Sequence, residues 1–72
     1  MKIYIHNILS EAGTIVENIC EVLMLKYSTT ISFTSDDLYD YEIEINHNSI
    51  VPFMIRFFHK IDNIEYERIE VI

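Results

Sequence analysis

The chain has little glycine, proline or cysteine, with one of each among its 72 residues. So few turn-forming residues leave little material for long loops. The single cysteine, Cys20, cannot form an internal disulfide, and this favours a cytosolic setting. The longest apolar run, Ile50 to Ile55, is too short to span a bilayer. Glu11 interrupts any signal-peptide core near the N-terminus, so we expect no export.

Hydrophobic residues make up 50% of the chain, and fourteen of them are isoleucines. This composition excludes a disordered linker and predicts a single domain over residues 1–72. A domain of this size buries only about 60% of the surface of its unfolded chain, so we expect a thin stability margin and dimerisation as the remedy. Val22, Met24 and Leu25 exceed what one buried helical stripe requires. They predict a homodimer interface, unless Met24 fills a gap in the core.

Acidic residues outnumber basic ones by twelve to five, which gives a formal net charge of −7. Such a surface repels nucleic acid and anionic lipid, so we expect neither a nucleic acid nor a membrane to bind directly. It attracts basic surfaces instead, including those with which proteins hold DNA or RNA. Composition alone leaves a second interpretation open, in which the charge only keeps a hydrophobic small protein soluble.

Six secondary-structure elements are predicted from residue spacing and from capping and turn residues. Apolar residues at helical intervals indicate two helices, and β-branched or alternating residues indicate four strands. The third strand is the clearest, because tyrosine or isoleucine alternates there with polar residues. In chain order the elements are a strand at Lys2–Ile8, a helix at Glu11–Lys26 with Ser10 as its N-cap, strands at Thr29–Thr34 and Tyr39–Asn46, a helix at Ile50–Ile61 and a strand at Ile64–Ile72.

This β-α-β-β-α-β order predicts an α+β protein with the ferredoxin-like arrangement, an antiparallel four-stranded sheet with two helices on one face. Right-handed crossovers place strand four beside one, one beside three and three beside two, and they leave the other face uncovered. An alternative makes residues 50–58 a strand and leaves a single helix. The predicted core consists of Ile5, Ile19, Leu23, Phe33, Ile43, Ile45, Phe53 and Phe57.

No group of residues has the spacing of a catalytic or metal site. The histidines His6, His47 and His59 are too far apart for a paired metal-ligand motif. Cys20 lies mid-helix among apolar residues, away from any helix N-terminus that would lower its pKa, so we expect a buried, inert thiol. Gly13 is the only glycine, which excludes a glycine-rich phosphate loop. We therefore expect no enzyme, no cofactor and no bound metal.

The arrangement of the acidic residues carries the strongest functional signal. Alternation places three carboxylates on one face of the third strand, about 6.6–6.8 Å apart, and the fourth strand adds three more. Asp and Glu are poor strand formers, and clustering them costs repulsion that Thr or Ser would avoid, so a use is indicated. An uncovered antiparallel face also simply requires polar residues, and that interpretation stays open. The candidate partner-binding residues are Asp40, Glu42, Glu44, Glu65, Glu67 and Glu70.

In these acidic rows and in its general character, the chain resembles the short, acidic, isoleucine- and asparagine-rich host-takeover proteins of bacteriophages. Some of those act as DNA mimics against host DNA-binding proteins, and they share no common fold. The resemblance implies a protein-binding module whose carboxylates replace phosphates on the basic surface of a host protein and so inhibit it. The alternative is a small dimeric structural or regulatory subunit that uses its sheet to dimerise or to sense a small molecule.

Overall fold

Four strands and two helices make up the computed structural model, which describes residues 1–72. The predicted α+β class is confirmed, with one four-stranded antiparallel sheet and two helices. The elements are β1 (Lys2–Leu9), α1 (Ser10–Val22), β2 (Tyr27–Ile31), β3 (Leu38–Glu44), a 3-10 turn (His47–Ser49), α2 (Ile50–Lys60) and β4 (Arg68–Val71).

The strands lie in the order β2-β3-β1-β4, and each neighbouring pair is antiparallel. Both helices pack against one face of this sheet, because their apolar sides join a single core cluster with β1 and β3. Phe53 and Phe57 of α2 are fully buried in that cluster, with ring centroids 6.0 Å apart. The opposite face of the sheet has no helix over it, and we call it the open face.

Helix α2 forms where predicted, so the alternative strand over residues 50–58 is wrong. Its start is set by Asn46, whose side-chain oxygen accepts a hydrogen bond from the Ser49 N–H at 3.0 Å. The same N–H also donates to the Asn46 backbone carbonyl at 3.1 Å, and together these bonds close the 3-10 turn that leads directly into the helix. Apolar residues at i, i+3, i+4 and i+7 then turn one side of the helix to the core.

Most of the predicted core is confirmed, with Leu23 only half-buried and Phe33 fully exposed. The prediction for Phe33 is wrong because β2 ends at Ile31, two residues before it. Beyond Ile31 the Ser32 hydroxyl bonds the side chain of Asn7, and the Ser32 N–H donates to the Leu38 carbonyl at 2.9 Å. The chain turns at that point, so Phe33 lies in a loop and not on the sheet.

Helix α1 begins at Ser10 and ends at Val22, four residues before the predicted end. Ser10 is not the N-cap, since the position before the helix is Leu9 and no side chain caps it. At the other end Met24 has a left-handed backbone, with φ of 57°, and the Leu25 N–H donates to the Cys20 carbonyl at 2.8 Å. This is a Schellman ending with methionine in the place that glycine usually takes. Met24 is 87% exposed and fills no gap in the core.

Strand β1 contains a β-bulge between Ile5 and Ile8, where its register against β3 shifts by one residue. Asn7 lies in the bulge with a φ of 52°, a left-handed conformation that asparagine tolerates better than most residues. The extra residue reverses the inside–outside alternation, and as a result Ile3, Ile5 and Ile8 are all fully buried.

Strand β4 begins at Arg68, whereas the alternating pattern predicted a start at Ile64. Residues 62–67 form a loop instead, and Ile64 in this loop is 85% exposed. The loop closes on itself because the Glu65 N–H donates to the Asp62 carbonyl at 3.0 Å and the Glu65 carboxylate accepts from the Asp62 N–H at 2.9 Å. Alternation over four residues cannot distinguish a strand from such a self-bonded turn.

Gly13 lies where the ring of Tyr41 meets helix α1, and a Cβ there would be 2.7 Å from the Tyr41 hydroxyl oxygen. In a helix interior, alanine is normally more stabilising than glycine by about 1 kcal/mol. We expect Gly13→Ala instead to lower the free energy of unfolding by about 1–3 kcal/mol, because the buried Tyr41 must move. Urea denaturation followed by circular dichroism measures this change.

Tyr41→Phe provides the control, because it removes the atom that a Cβ at position 13 would meet first. In that background Gly13→Ala should cost less than in the wild type. A Gly13→Ala variant more stable than the wild type would contradict the proposed steric role of this glycine.

Candidate functional site

The open face is built first by β3, in which acidic residues alternate with the buried residues Tyr41 and Ile43. Asp40, Glu42 and Glu44 therefore project from the open face, about 6.6–6.8 Å apart along the strand. The structure places this part of the predicted site as the sequence indicated. Extended backbone fixes the spacing at which the three side chains leave the strand, so they form a row along β3.

Strand β4 adds Glu70 to the same face. Tyr4 of β1 pairs with Glu42 on one side and with Glu70 on the other, so the two glutamates flank the tyrosine. Two strand spacings separate them, about 10 Å. Four of the six predicted acidic residues thus share the open face, on β3 and β4.

The other two predicted residues lie elsewhere. Glu65 belongs to the loop between α2 and β4, where its carboxylate is used to bond the Asp62 N–H. Glu67 directly precedes β4, and its carboxylate accepts a hydrogen bond from the Asn7 side-chain amide at 3.1 Å, beside the bulge. The structure therefore does not bring Glu65 into the acidic row, and it engages Glu67 at the bulge.

Basic residues are interleaved with the acidic ones on the open face. Lys2 Nζ lies 3.3 Å from Glu42 Oε1, and Arg68 Nε lies 2.6 Å from Glu70 Oε1. His6 Nε2 also lies 3.1 Å from that Glu70 oxygen. The pairing register brings Lys2 to Glu42 and His6 to Glu70, so the sequence did not predict these two pairs. Arg68 and Glu70 are instead two residues apart on the same face of β4. Glu44 makes no ion pair, and its carboxylate is the least engaged of the four.

The pKa of Glu42 is lowered, because the Tyr4 hydroxyl and then Lys2 hydrogen-bond its carboxylate. The same contacts raise the pKa of Lys2 and that of Tyr4, chiefly through the bond to Glu42. A lowered carboxyl pKa and a raised ammonium pKa both favour the charged forms. Glu42 is therefore ionised at neutral pH, beside two hydrogen-bonding neighbours on β1.

Asn7 is the residue that sequence reasoning missed. Its backbone N–H donates to Asp40 Oδ1 at 2.9 Å, and its side-chain oxygen accepts from the Ser32 hydroxyl. Its side-chain amide also donates to the Glu67 carboxylate. Asn7 of β1 therefore contacts β3, the residue after β2 and the residue before β4 at one end of the sheet. An asparagine inside a β-branched run was the available signal, since Asn is rare in strand interiors and tolerates positive φ. Asp40 is consequently a support of the bulge as well as part of the acidic row.

A shallow groove of about 260 Å³ lies on the open face between β1 and β3 and extends toward β2. Its floor is the pairing of Ile5 with Tyr41, and its accessible lining is mostly apolar, with polar side chains at the rim. The lining residues are Tyr4, Ile5, His6, Ser28, Thr30, Asp40, Tyr41 and Glu42.

Other chemically active groups are dispersed. Cys20 is buried, and burial, followed by the nearby Glu17, raises the pKa of its thiol to about 11. Burial, with a hydrogen bond to Glu17, also raises the pKa of Tyr41 above its usual range. No three His, Cys, Asp or Glu side chains gather closely enough to hold a metal ion.

The fold and the open face together define a small α+β protein with one uncovered sheet surface rich in carboxylates. Neither helix has the length and apolar character needed to cross a membrane. Comparison of the chain with protein-family models, with curated proteins and with solved structures finds no match.

Proposed function

We propose that the protein is a non-catalytic, acidic protein-binding module that occupies the nucleic-acid-binding surface of a basic host protein and inhibits it, as a DNA mimic does. The observation that carries the proposal is the row of Asp40, Glu42 and Glu44 on an uncovered sheet face, extended by Glu70 across β1. Carboxylates at fixed positions replace phosphates, and the partner's Lys and Arg cannot serve both ligands at once. Glu65 and Glu67 are proposed as the outer contacts of the same interface.

Preorganisation supports this proposal. Glu42 is held by Lys2 and Tyr4, and Glu70 is held by Arg68 and His6. Side chains that are already ordered lose less conformational entropy when a partner binds. A rigid partner surface with its own fixed cations is the kind of ligand that this arrangement favours.

The acidity extends well beyond the open face. Its four carboxylates against Lys2 and Arg68 give −2 of the formal net charge of −7, with His6 neutral. The remainder lies on α1 and in the loops, whereas α2 carries Arg56 and Lys60 and no acidic residue. A basic partner is thus attracted by the whole molecule and oriented away from α2, while the open face supplies the ordered contacts.

The finer assignments belong to the same proposal. We assign the ferredoxin-like arrangement, supported by the element order, by two helices on one face and by the strand order β2-β3-β1-β4. A cytoplasmic location is supported by the lone, buried Cys20, which can form no internal disulfide. The module works without cofactor or metal.

Replacing Glu42, Glu44 and Glu70 with glutamine tests the proposed function. The partner is first captured from host lysate at low salt, and its affinity for the purified protein is then measured in competition with duplex DNA. We expect the triple variant to bind at least about tenfold more weakly, while the fold survives because these side chains are not in the core. Wild-type affinity should also fall between 0.1 M and 1 M salt, as the Debye length shrinks from about 10 Å to about 3 Å.

The matched control removes three charges elsewhere. Glu11, Glu21 and Asp36 are exposed and lie outside the open face, so their Gln or Asn variants should weaken binding much less. If both triple variants lost the same amount of affinity, the acidic row would contribute only to the overall negative charge and would not be a specific contact. Unchanged binding in the open-face variant would leave that face a solvated surface.

The second candidate is a small dimeric structural or regulatory subunit. The observation that favours it is the uncovered edge strand β2, whose five residues are all exposed. Salt-resistant self-association without capture of any basic protein would favour this candidate over the DNA mimic.

A further inference from the structure

The segment from Tyr27 to Ser35 contains no charged residue, although 24% of the chain is charged. It comprises edge strand β2 and the turn that follows. Tyr27 is 42% exposed and Ile31 is 59% exposed, although both point to the side of the sheet on which the core lies. Glu17 of α1 reaches Tyr27, but the helices leave both side chains partly uncovered.

Proteins normally protect an edge strand from pairing with other chains by means of charge, proline, a bulge or short length. The opposite edge, β4, has such protection, since it is only four residues long and carries Arg68 and Glu70. Strand β2 is one residue longer, and it has no charged residue, no proline and no bulge. It is therefore the edge at which the sheet can be extended.

The backbone groups that are free at this edge can be assigned from the pairing with β3. Glu44 N–H donates to the Lys26 carbonyl at 2.9 Å, and Ser32 N–H donates to the Leu38 carbonyl at 2.9 Å. Because antiparallel pairing alternates, the even-numbered residues between them bond β3. The N–H and C=O groups of Tyr27, Thr29 and Ile31 consequently point outward, and no other strand pairs with them.

We propose that a second copy of this chain pairs with that edge, antiparallel, about a twofold axis through Thr29, so that two four-stranded sheets become one of eight strands. In this register Tyr27 lies opposite Ile31 of the second copy, and Thr29 lies opposite its own counterpart. All three outward residues then exchange backbone hydrogen bonds with the other chain.

A second copy is the fitting occupant because the strand is complementary to itself. Reversing it about Thr29 exchanges Tyr27 with Ile31 and Ser28 with Thr30, so an aromatic residue meets a β-branched one twice and hydroxyl residues meet on the open face. No like charges come to lie opposite each other. The half-exposed Tyr27 and Ile31 side chains become buried against the other copy.

This interface lies on the sheet edge and is independent of the acidic contacts proposed above. It would place the Asp40, Glu42 and Glu44 rows of the two copies in one continuous surface, three strand spacings or about 14 Å apart. Each copy has a net charge of −7, so repulsion opposes association at low ionic strength. Salt should strengthen the dimer, whereas it should weaken the binding of a basic partner.

Sedimentation velocity of the 72-residue chain, at protein concentrations of about 1–100 μM, tests the proposal. We expect a dimer whose dissociation constant rises by at least about tenfold in Thr29→Lys, which sets two like charges at the axis. Val71→Lys places the same charge at the β4 edge and should leave the dissociation constant unchanged. A monomeric wild type at the highest concentration, or dissociation caused by Val71→Lys alone, overturns the proposal.

A cross-link tests the register separately. Residues directly opposite each other in a hydrogen-bonded antiparallel pair have Cα atoms about 5.5 Å apart, within reach of a disulfide. In a Cys20→Ser background, Thr29→Cys should therefore form a covalent dimer on mild oxidation, and Thr30→Cys should not. Equal cross-linking at both positions would show random collision and overturn the axis. A monomer that instead binds an extended peptide along β2 would assign the edge to a different partner.

Discussion

Replacing Phe57 with alanine is expected to lower the free energy of unfolding by about 3–5 kcal/mol, enough to unfold much of the population of so small a domain. Phe57 is fully buried, stacks on Phe53 and meets the ring of Tyr66 edge-on at 5.0 Å between centroids. The substitution removes the ring that joins α2 to the sheet and to the loop before β4. Chemical denaturation monitored by circular dichroism measures the loss.

The neighbouring Phe58 supplies a matched control. It is 56% exposed, so Phe58→Ala makes the same chemical change on the same helix and should cost no more than about 1 kcal/mol. Should Phe57→Ala fail to fold at all, Phe57→Leu gives a smaller, measurable loss. Equal losses at positions 57 and 58 would contradict the inward orientation of α2.

Asn7→Ala is expected to lower the free energy of unfolding by about 2–3 kcal/mol. About 1–2 kcal/mol comes from forcing a residue with a Cβ and no polar side chain into the left-handed region, and the rest from losing the hydrogen bonds to Ser32 and Glu67. Asn7→Gly loses the same side-chain bonds but keeps the backbone conformation at little steric cost.

The stability order should therefore be wild type, then Asn7→Gly, then Asn7→Ala, measured by urea denaturation. A glycine variant no more stable than the alanine variant would mean that the positive φ carries no strain. Ser32→Ala tests the same network from the loop and should lose about 1 kcal/mol, from one hydrogen bond.

The parts of the fold that the sequence predicts correctly are those set by local periodicity. Apolar residues at helical spacing placed α2 within one residue of its observed range, and strict alternation put Tyr41 and Ile43 inside with Glu42 outside. The short range of these rules is also their limit. The end of β2 depends on Ser32 bonding Asn7, a contact between residues 25 positions apart.

The same distinction between local pattern and long-range contact applies to the candidate site. The row of Asp40, Glu42 and Glu44 follows from the period of a strand, and the structure retains it. Which cations accompany the row follows from register, because Lys2 and Glu42 are 40 positions apart in the chain. Sequence reasoning therefore found the carboxylates on β3 but placed Glu65 on a strand that begins only at Arg68.

The position of β1 at the centre of the sheet has a kinetic consequence. This strand is made first, yet both of its neighbours come much later in the chain, as the Asn7–Glu67 contact across 60 positions shows. Helix α1 and the β2–β3 hairpin can form from near neighbours, whereas β1 must wait for loop closure that costs chain entropy. Until then its isoleucine-rich face stays exposed. Docking of β1 should therefore be the slow step of refolding, and aggregation of the refolding chain should begin at that strand.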